Sequence, residues 1–499
     1  MRSRVGHNTV LSLLGLAIPL TLAAFVMPVA VRYLGPMRFG LLGLAWAVTE
    51  YASLFDLGFG RSLVKFVAEA VEARSGALNA TISLSLCIQL AAGIAGGGLL
   101  VFAAPVLVDE VFRVPPTLAG EAVGTFRVVG FGLPIVLLNG GQRAVLEGAQ
   151  RFDLSAALRM VSGILSLSIP AIGAALGFGL PLILAVVLAG RVVLACLYAI
   201  AVRHTLPLLR WEWPRDWKVI LRLISFGGWV FVSNLISPVL VYFDRFALGA
   251  AVGIASVGFY VAPYEAVTRV LLIPTALVGT LLPALTAIET GHDLQKFREL
   301  VAASERVLAP AMILLMATVS VFASELLTIW LGPEYAGQSA NALRLLALGV
   351  FVNALAYPLL VSLYAMGRAD IPAKFHIGEL AFHIPLALTL ISAYGINGAA
   401  AAWTLRVLID LGLLLAASVR LSGSSFGAVL GGRTRRLFAA AFLLTAGLLA
   451  CKFIASLSVA GGAILSAAAI GSFALLSWRW LLDDKERTAL NATARSYLG

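Results

Sequence analysis

The chain has 499 residues, of which 60% are hydrophobic and 12% are charged, and its mean hydropathy is +0.97. Soluble proteins carry roughly twice that share of charged residues, so the composition excludes a large soluble domain. The net charge of +11 comes from Lys and Arg in short loops between apolar runs, which is typical of topology determinants and not of a nucleic-acid partner. We therefore expect an all-α polytopic membrane protein that binds no nucleic acid.

Apolar windows of about 20 residues, the length that spans a bilayer, predict about fourteen transmembrane helices. Their predicted centres lie near residues 20, 48, 92, 135, 165, 192, 232, 266, 315, 352, 382, 407, 444 and 470. With the N-terminus in the cytoplasm, the cytoplasmic loops are expected around 61–76, 143–159, 203–222, 289–306, 368–374, 420–436 and 479–499. About 26 of the 36 Lys and Arg residues then fall in cytoplasmic loops and about 7 in extracytoplasmic loops. The positive-inside rule therefore predicts that both termini are cytoplasmic.

A weak internal repeat divides the predicted helices into two pseudo-symmetric lobes of six, followed by two accessory helices. Arg151 and Asp153 of the first half align with Arg368 and Asp370 of the second. An even number of spans in each lobe makes the repeat parallel, with a substrate site expected between the repeats. The predicted divisions are an N-terminal lobe at 1–210, a C-terminal lobe at 211–422, and the accessory helices with a cytoplasmic tail at 423–499.

Two further pairs of residues support the repeat. Gly40, shortly after the turn at Gly35, has a counterpart in Gly258. Arg191 in the sixth span and Arg406 in the twelfth fall within about one helical turn of equivalent positions.

Several stretches of the chain resemble a known family. These are YLGPMRFG with FDLGFGRSLVKF, then LEGAQRF, YFDRFALGAAVGIASVGFYVAPYE and YGINGAAAAWTLR. In this order and spacing they resemble the polysaccharide or O-antigen-type flippases of the multidrug/oligosaccharidyl-lipid/polysaccharide exporter superfamily. The resemblance implies two six-helix lobes around a lumen, alternating access, a lipid-linked oligosaccharide as cargo, and a place in the bacterial cytoplasmic (inner) membrane.

Three arginines inside predicted spans are candidate cargo-binding groups. Arg191, Arg269 and Arg406 stay protonated and bind phosphate in bidentate fashion, as a lipid diphosphate crossing the membrane requires. The alternative is that they satisfy carboxylates and fix packing. Glu265 lies four residues before Arg269, and Asp410 four residues after Arg406, so each could form a pair along one helix.

Ionisable groups inside spans are costly and indicate function. The candidates for ion coupling or gating are Glu50, Asp56, Asp244, Glu265, Glu379, His383 and Asp410. Buried carboxylates and histidines can change protonation state and so switch a conformation. We expect Glu50 to join a lumen network of the first lobe. Asp56 could instead cap its helix and pair with Arg61 or Lys65 as a cytoplasmic hinge.

Two of these candidates have other interpretations. In the eleventh span, His376, Glu379 and His383 share one helix face, which could hold a metal, although we predict neither a metal nor a cofactor. His376 could also be solvated at the cytoplasmic interface. Asp244, beside Arg245 at the extracytoplasmic end of the seventh span, could gate the lumen or only anchor its helix.

The function predicted is a flippase for isoprenoid-diphosphate-linked oligosaccharides in surface or exopolysaccharide synthesis, driven by an ion gradient. Alternatives are a lipid-linked peptidoglycan-precursor flippase, a drug or cation antiporter of the same superfamily, and a scaffold of a polysaccharide polymerase complex. No nucleotide-binding loop of the G-x-x-x-x-G-K-[ST] type occurs, and no catalytic constellation is visible, so an enzyme is not predicted. Expected partners are the cargo, membrane lipids and proteins of a polymerase or export complex.

Overall fold

The computed structural model describes residues 2–55, 63–64, 66–68, 78–212, 236, 238–423, 434–455, 459–477 and 479. Within these ranges the chain forms helices joined by short turns and contains no β-strand. The all-α fold class is therefore confirmed. Eight helical stretches of the described chain are long and apolar enough to cross a membrane, whereas the full count of fourteen spans stays a prediction.

The chain divides into two compact units, Met1–Ala262 and Pro263–Gly499. The helices of the first unit are α1 Arg2–Phe55, α2 Leu78–Val106, α3 Pro116–Gly148, α4 Phe152–Ala175, α5 Leu180–Thr205, α6 at 238–251 and the first part of α7 Ile254–Thr268, with a π-helical turn Leu107–Val111 after α2. In this unit α2 packs on α3, and α1 and α5 each pack on both α3 and α4.

The second unit continues from α7 through a 3₁₀ turn, Arg269–Leu271. Its helices are α8 Leu272–Thr290, α9 Leu294–Val321, α10 Ala323–Leu331, α11 Pro333–Ala365, α12 Asp370–Ser422, α13 Thr434–Ala455 and α14 Val459–Leu476. α11 is the central helix and packs against α8, α9, α10 and α12, while α13 packs against α9 and α14. Each predicted span centre lies inside a helix except 232, which is outside the described residues. The predicted lobe boundaries and the orientation of the termini stay predictions.

The two longest helices are each broken by a glycine. α1 has 54 residues and α12 has 53, which at 1.5 Å per residue is about 80 Å, far more than a bilayer. Gly35 in α1 and Gly395 in α12 have φ values of +69° and +55°, which side chains with a Cβ rarely adopt. Past the second break, Gly398 packs directly on the backbone of Leu390, so α12 folds back on itself as two helices.

Left-handed residues recur along the chain at a nearly constant spacing. Four positive-φ positions of the first half and four of the second are separated by 217 to 219 residues, namely 35 and 253, 113 and 332, 150 and 367, and 177 and 395. Each position follows the end of one helix and precedes another. The repeat inferred from the sequence is therefore present in the backbone, in the same order in both halves.

The predicted Arg-x-Asp match has the same geometry in both halves. The Arg151 side chain donates from Nε to Asp153 Oδ1 at 2.9 Å, and Arg368 donates from Nε to Asp370 Oδ1 at 3.1 Å. The backbone N–H of each arginine also bonds to the carbonyl five residues earlier, at 2.8 and 2.9 Å. The hydrogen bond with Asp153 raises the pKa of the Arg151 guanidinium above its usual value. These turns end α3 and α11 in the same way.

The glycines aligned by the repeat, Gly40 and Gly258, contact each other. A Cβ at Gly40 would lie 3.0 Å from the backbone nitrogen of Gly258 and would overlap the carbonyl of Ile254. A Cβ at Gly258 would overlap the carbonyl of Pro36. The absence of side chains therefore lets α1 and α7 touch at their backbones inside the first unit.

Candidate functional site

A polar cavity of about 320 Å³ lies inside the first unit. It is lined from α1, α3, α4 and α5 by Thr49, Glu50, Val136, Leu137, Asn139, Gly140, Arg143, Arg159, Ser162, Arg191 and Tyr198. The volume is at the small end of the range known for ligand pockets, ~300–1,000 Å³. Three of the lining residues are arginines and one is a glutamate, so the cavity has an excess of positive charge.

Glu50 and Arg191, both singled out in the sequence, meet at this cavity. The charge of Glu50 acts on the Arg191 guanidinium. Asn139 on α3 donates from Nδ2 to the backbone carbonyl of Arg191 on α5 at 3.1 Å, which links the two helices beside the cavity. The structure thus supplies Arg191 with the acidic neighbour that its own helix lacks.

Arg143 and Arg159 also line the cavity, although they were not among the candidates predicted from the sequence. They fall in a stretch expected to be a cytoplasmic loop, but the structure places Arg143 in α3 and Arg159 in α4. Arg143 lies 3.7 Å from Glu147, and Ser155 Oγ donates to Glu147 Oε1 at 2.8 Å. The i, i+4 spacing of Arg143 and Glu147 was the signal available in the sequence that this segment is helical.

The arginines are only partly neutralised by acids. The Nε atom of Arg159 is buried and has no hydrogen-bond partner in the part of the chain that the structure describes. The charges of Arg143, Arg159 and Glu147 all act on Tyr198, which is 4% exposed and closes one wall. Three guanidinium groups against Glu50 and Glu147 leave a net positive site, which suits a bound anion.

In the second unit, Arg406 is paired differently from the sequence expectation. Its Nη1 lies 3.4 Å from Glu379 Oε2, and the side chains of Arg406 and Glu379 are 11% and 1% exposed. Glu379 precedes the break at Gly395 and Arg406 follows it, so the ion pair joins the two halves of α12. The pair with Asp410 was expected because four residues separate it from Arg406 along one helix, but the fold of α12 brings Glu379 closer.

Asp410 contributes to a cluster with His376 and Glu379. One ligand atom from each lies within 4.8 Å of the others, so these are the residues that could hold a cation among those described. His383, which the helical pattern had placed with His376 and Glu379, is fully buried and is not part of this group. The Arg406 guanidinium already supplies a positive charge here, which disfavours a second cation. The expectation of no resident metal stays a prediction.

The predicted pair of Glu265 and Arg269 is present. The Arg269 guanidinium lies 3.4 Å from Glu265 Oε2, and its Nε donates to the backbone carbonyl of Glu265 at 3.0 Å. Both side chains are 23% exposed, and Arg269 begins the 3₁₀ turn between α7 and α8. These contacts fit the packing alternative for Arg269. Its part in cargo binding stays a prediction.

Asp244 and Arg245 are buried in α6, 0% and 1% exposed. Tyr260 Oη donates to Asp244 Oδ2 at 3.2 Å, and the Arg245 guanidinium lies 4.8 Å from the centre of the Tyr242 ring. These contacts anchor α6 within the first unit, and a gating role stays a prediction. Asp56 lies outside the described residues.

Comparisons with known proteins agree with this architecture. Residues 29–340 match the family model for "Polysaccharide biosynthesis protein". A protein of Shigella flexneri whose name assigns it to O-antigen transport is 30% identical over 407 residues, covering 82% of this chain and 96% of the relative.

Two solved structures share the fold. One is an inward-facing multidrug resistance MATE family transporter of the MOP superfamily, with a TM-score of 0.71 and 14% identity, covering 83% of this chain and 98% of that one. The other is the lipid II flippase MurJ in an inward closed conformation, with a TM-score of 0.65 and 12% identity, covering 96% and 98%. The chain therefore belongs to the polysaccharide biosynthesis protein family, and it is a multi-pass inner-membrane transporter with the fold of the MOP superfamily.

Proposed function

We propose that this protein is a flippase that carries isoprenoid-diphosphate-linked oligosaccharide units across the cytoplasmic membrane by alternating access, driven by an ion gradient. The observation that carries the proposal is the cavity of the first unit, where Arg143, Arg159 and Arg191 converge from three helices. The assignment to a polysaccharide family and the O-antigen relative support a sugar cargo on a lipid carrier.

The diphosphate of such a cargo carries negative charge into the membrane. Moving an unpaired phosphate charge through hydrocarbon is prohibitively costly, so the path needs fixed positive charge. Guanidinium groups remain ionised when buried and offer paired donors that match phosphate oxygens. The three arginines of the cavity supply that charge without help from a metal.

The excess of positive charge in the cavity favours this cargo over a cationic drug. A site that binds cations needs an excess of carboxylates, whereas here three arginines face Glu50 alone among the acids that line the cavity. In the second unit Arg269 and Arg406 each pair with a carboxylate at 3.4 Å. We therefore assign the main anion-binding role to the first unit and a secondary one to these two arginines.

A reconstituted assay tests the cargo-binding role of Arg191. Purified protein in liposomes that contain a fluorescent isoprenoid-diphosphate sugar should move the label between leaflets, as followed by a membrane-impermeant quencher. Arg191→Gln should lower the initial rate about tenfold or more, since one charge-assisted hydrogen bond contributes ~1.5–3 kcal/mol. Arg203→Gln is the matched control, because Arg203 is an exposed arginine on the same helix outside the cavity. A full rate in Arg191→Gln would reject this site.

The identity of the cargo is tested in cells. Deleting the gene should cause lipid-linked oligosaccharide repeat units to accumulate on the cytoplasmic face and should deplete the surface polysaccharide. Accumulation of the lipid-linked peptidoglycan precursor with normal polysaccharide would instead assign the chain to the alternative flippase. We further propose that proteins of polysaccharide polymerisation or export are its partners, and we assign no chemical reaction to the chain.

A further inference from the structure

A carboxyl group outside the site described above is buried without a partner. Glu305 in α9 is 2% exposed, and neither of its carboxyl oxygens has a hydrogen-bond partner among the described residues. It lies eleven residues after the start of α9 at Leu294, or about 16 Å along the helix axis. Glu305 was not among the candidates predicted from the sequence, because residues 289–306 were expected to form a cytoplasmic loop.

No charge described on the surrounding helices compensates a negative charge on Glu305. α9 packs against α8, α10, α11 and α13. The titratable side chains described on α9 and on these helices are Lys296, Arg298, Glu299 and Arg306 on α9, Glu289 on α8, Glu325 on α10, Glu334, Tyr335, Arg344, Tyr357 and Tyr364 on α11, and Arg436, Cys451 and Lys452 on α13. None of them forms a hydrogen bond or ion pair with Glu305. Arg306 is adjacent in sequence, but consecutive residues of a helix do not face each other.

Among the described residues, none would stabilise an ionised carboxylate at this position. Burial removes the water that solvates its charge, and no described residue supplies a cation or a hydrogen-bond donor in its place. A carboxyl group under these conditions binds a proton and becomes neutral.

We propose that Glu305 is a proton-binding site of the second unit that couples the transport cycle to the proton gradient. In the conformation described here its carboxyl O–H is intact. When the cycle admits water beside α9, that bond breaks, the proton passes to a water molecule, and the carboxylate remains. The proton-binding property stands by itself, whereas its role in coupling rests on the proposed function.

Infrared spectroscopy of the purified full-length protein tests the protonation state. The wild type should show the carbonyl-stretch band of a protonated carboxyl group at neutral pH, and Glu305→Gln should lose intensity in that band. Glu299→Gln is the matched control, because Glu299 is an exposed glutamate on the same helix and should leave the band unchanged. Equal band intensity in Glu305→Gln and the wild type would overturn the proposal. Glu305→Gln should fold, since a glutamine side chain has nearly the shape of a protonated glutamate and carries no charge.

Transport in liposomes tests the coupling. Wild-type protein and Glu299→Gln should move the diphosphate-linked lipid faster when a pH gradient is imposed, whereas Glu305→Gln should lose this stimulation and keep the rate seen without a gradient. Equal stimulation of Glu305→Gln would overturn the coupling role. If the wild type moved no such lipid while the infrared band still depended on Glu305, the proposed function would fail and the proton site would stand.

Discussion

At the scale of single residues, the arginines of the candidate sites fall into two groups that differ in their surroundings. Arg269 and Arg406 each contact a carboxylate at 3.4 Å, one along its own helix and one across a chain reversal. Arg143, Arg159 and Arg191 instead border a cavity, with fewer acids than cations around it. The first group is suited to holding helices together and the second to binding an anion.

Breaking the ion pair of Glu379 and Arg406 should therefore lower the stability of the folded protein. Removing one partner of a buried ion pair costs ~3–5 kcal/mol, because the remaining charge is left uncompensated. Arg406→Gln should cost more than Glu379→Gln, since it leaves two carboxylates, Glu379 and Asp410, close together without their cation. The double variant should recover part of the loss. Thermal unfolding of the wild type, the two single variants and the double variant, each purified in detergent, measures this double-mutant cycle.

Arg420→Gln serves as the control for that cycle, because Arg420 is exposed near the end of the same helix. We expect its unfolding temperature to match the wild type. Additive losses in the double variant would contradict a direct interaction between Glu379 and Arg406.

At the scale of helices, sharp chain reversals at glycine determine which surfaces meet. The break at Gly395 folds α12 back so that Gly398 lies on the backbone of Leu390. The same reversal is what brings Glu379 and Arg406 together. A helix of equal composition without this turn would leave the two charges about 40 Å apart along its axis, 27 residues at 1.5 Å each.

Gly398→Ala should therefore destabilise the protein, because the added Cβ overlaps a backbone carbonyl and no side-chain movement can relieve the overlap. Gly412→Ala is the matched control on the same helix, where a Cβ would have no atom within 4 Å. There the change should be neutral or stabilising by about 0.5–1 kcal/mol, since alanine favours helix over glycine. Yield and unfolding temperature measure both variants. Equal yields and unfolding temperatures of the two variants would argue against the close approach of Gly398 to the backbone of Leu390.

At the scale of the whole molecule, the two halves repeat one arrangement of turns but differ in chemistry. Four left-handed positions of the first half have counterparts 217 to 219 residues later in the second half. The arginine-lined cavity, however, belongs to the first unit, and the buried Glu305 belongs to the second. If both proposals hold, a duplicated scaffold of this kind lets one unit specialise in binding the cargo and the other in responding to an ion.

The predicted orientation of the molecule can be tested by cysteine labelling. In a background without Cys87, Cys196 and Cys451, Phe178→Cys and Leu208→Cys place single thiols at exposed positions in loops predicted to lie on opposite sides of the membrane. A membrane-impermeant maleimide added to intact spheroplasts should label Phe178→Cys alone, and permeabilisation should expose Leu208→Cys as well. The reverse pattern would show that the N-terminus is extracytoplasmic.

The sequence alone determined the features that depend on local pattern. Uninterrupted apolar runs indicate membrane helices because hydrocarbon leaves backbone groups no other partner, and this predicted the all-α class and all the span centres that can be compared. The match of Arg151 and Asp153 with Arg368 and Asp370 revealed the repeat, and four-residue spacing revealed the pair of Glu265 and Arg269.

Only the tertiary structure decided which distant residues meet. Arg143, Arg159 and Arg191 share a cavity because three helices turn those faces toward one another, and spacing along the chain contains no such information. Arg406 pairs with Glu379 and not with its neighbour on the helix because α12 reverses at Gly395. The sequence predicts a loop at Glu305, since charged residues precede and follow it. Its burial depends on the faces of α8, α11 and α13 that pack around α9, and those contacts form only when the chain is folded.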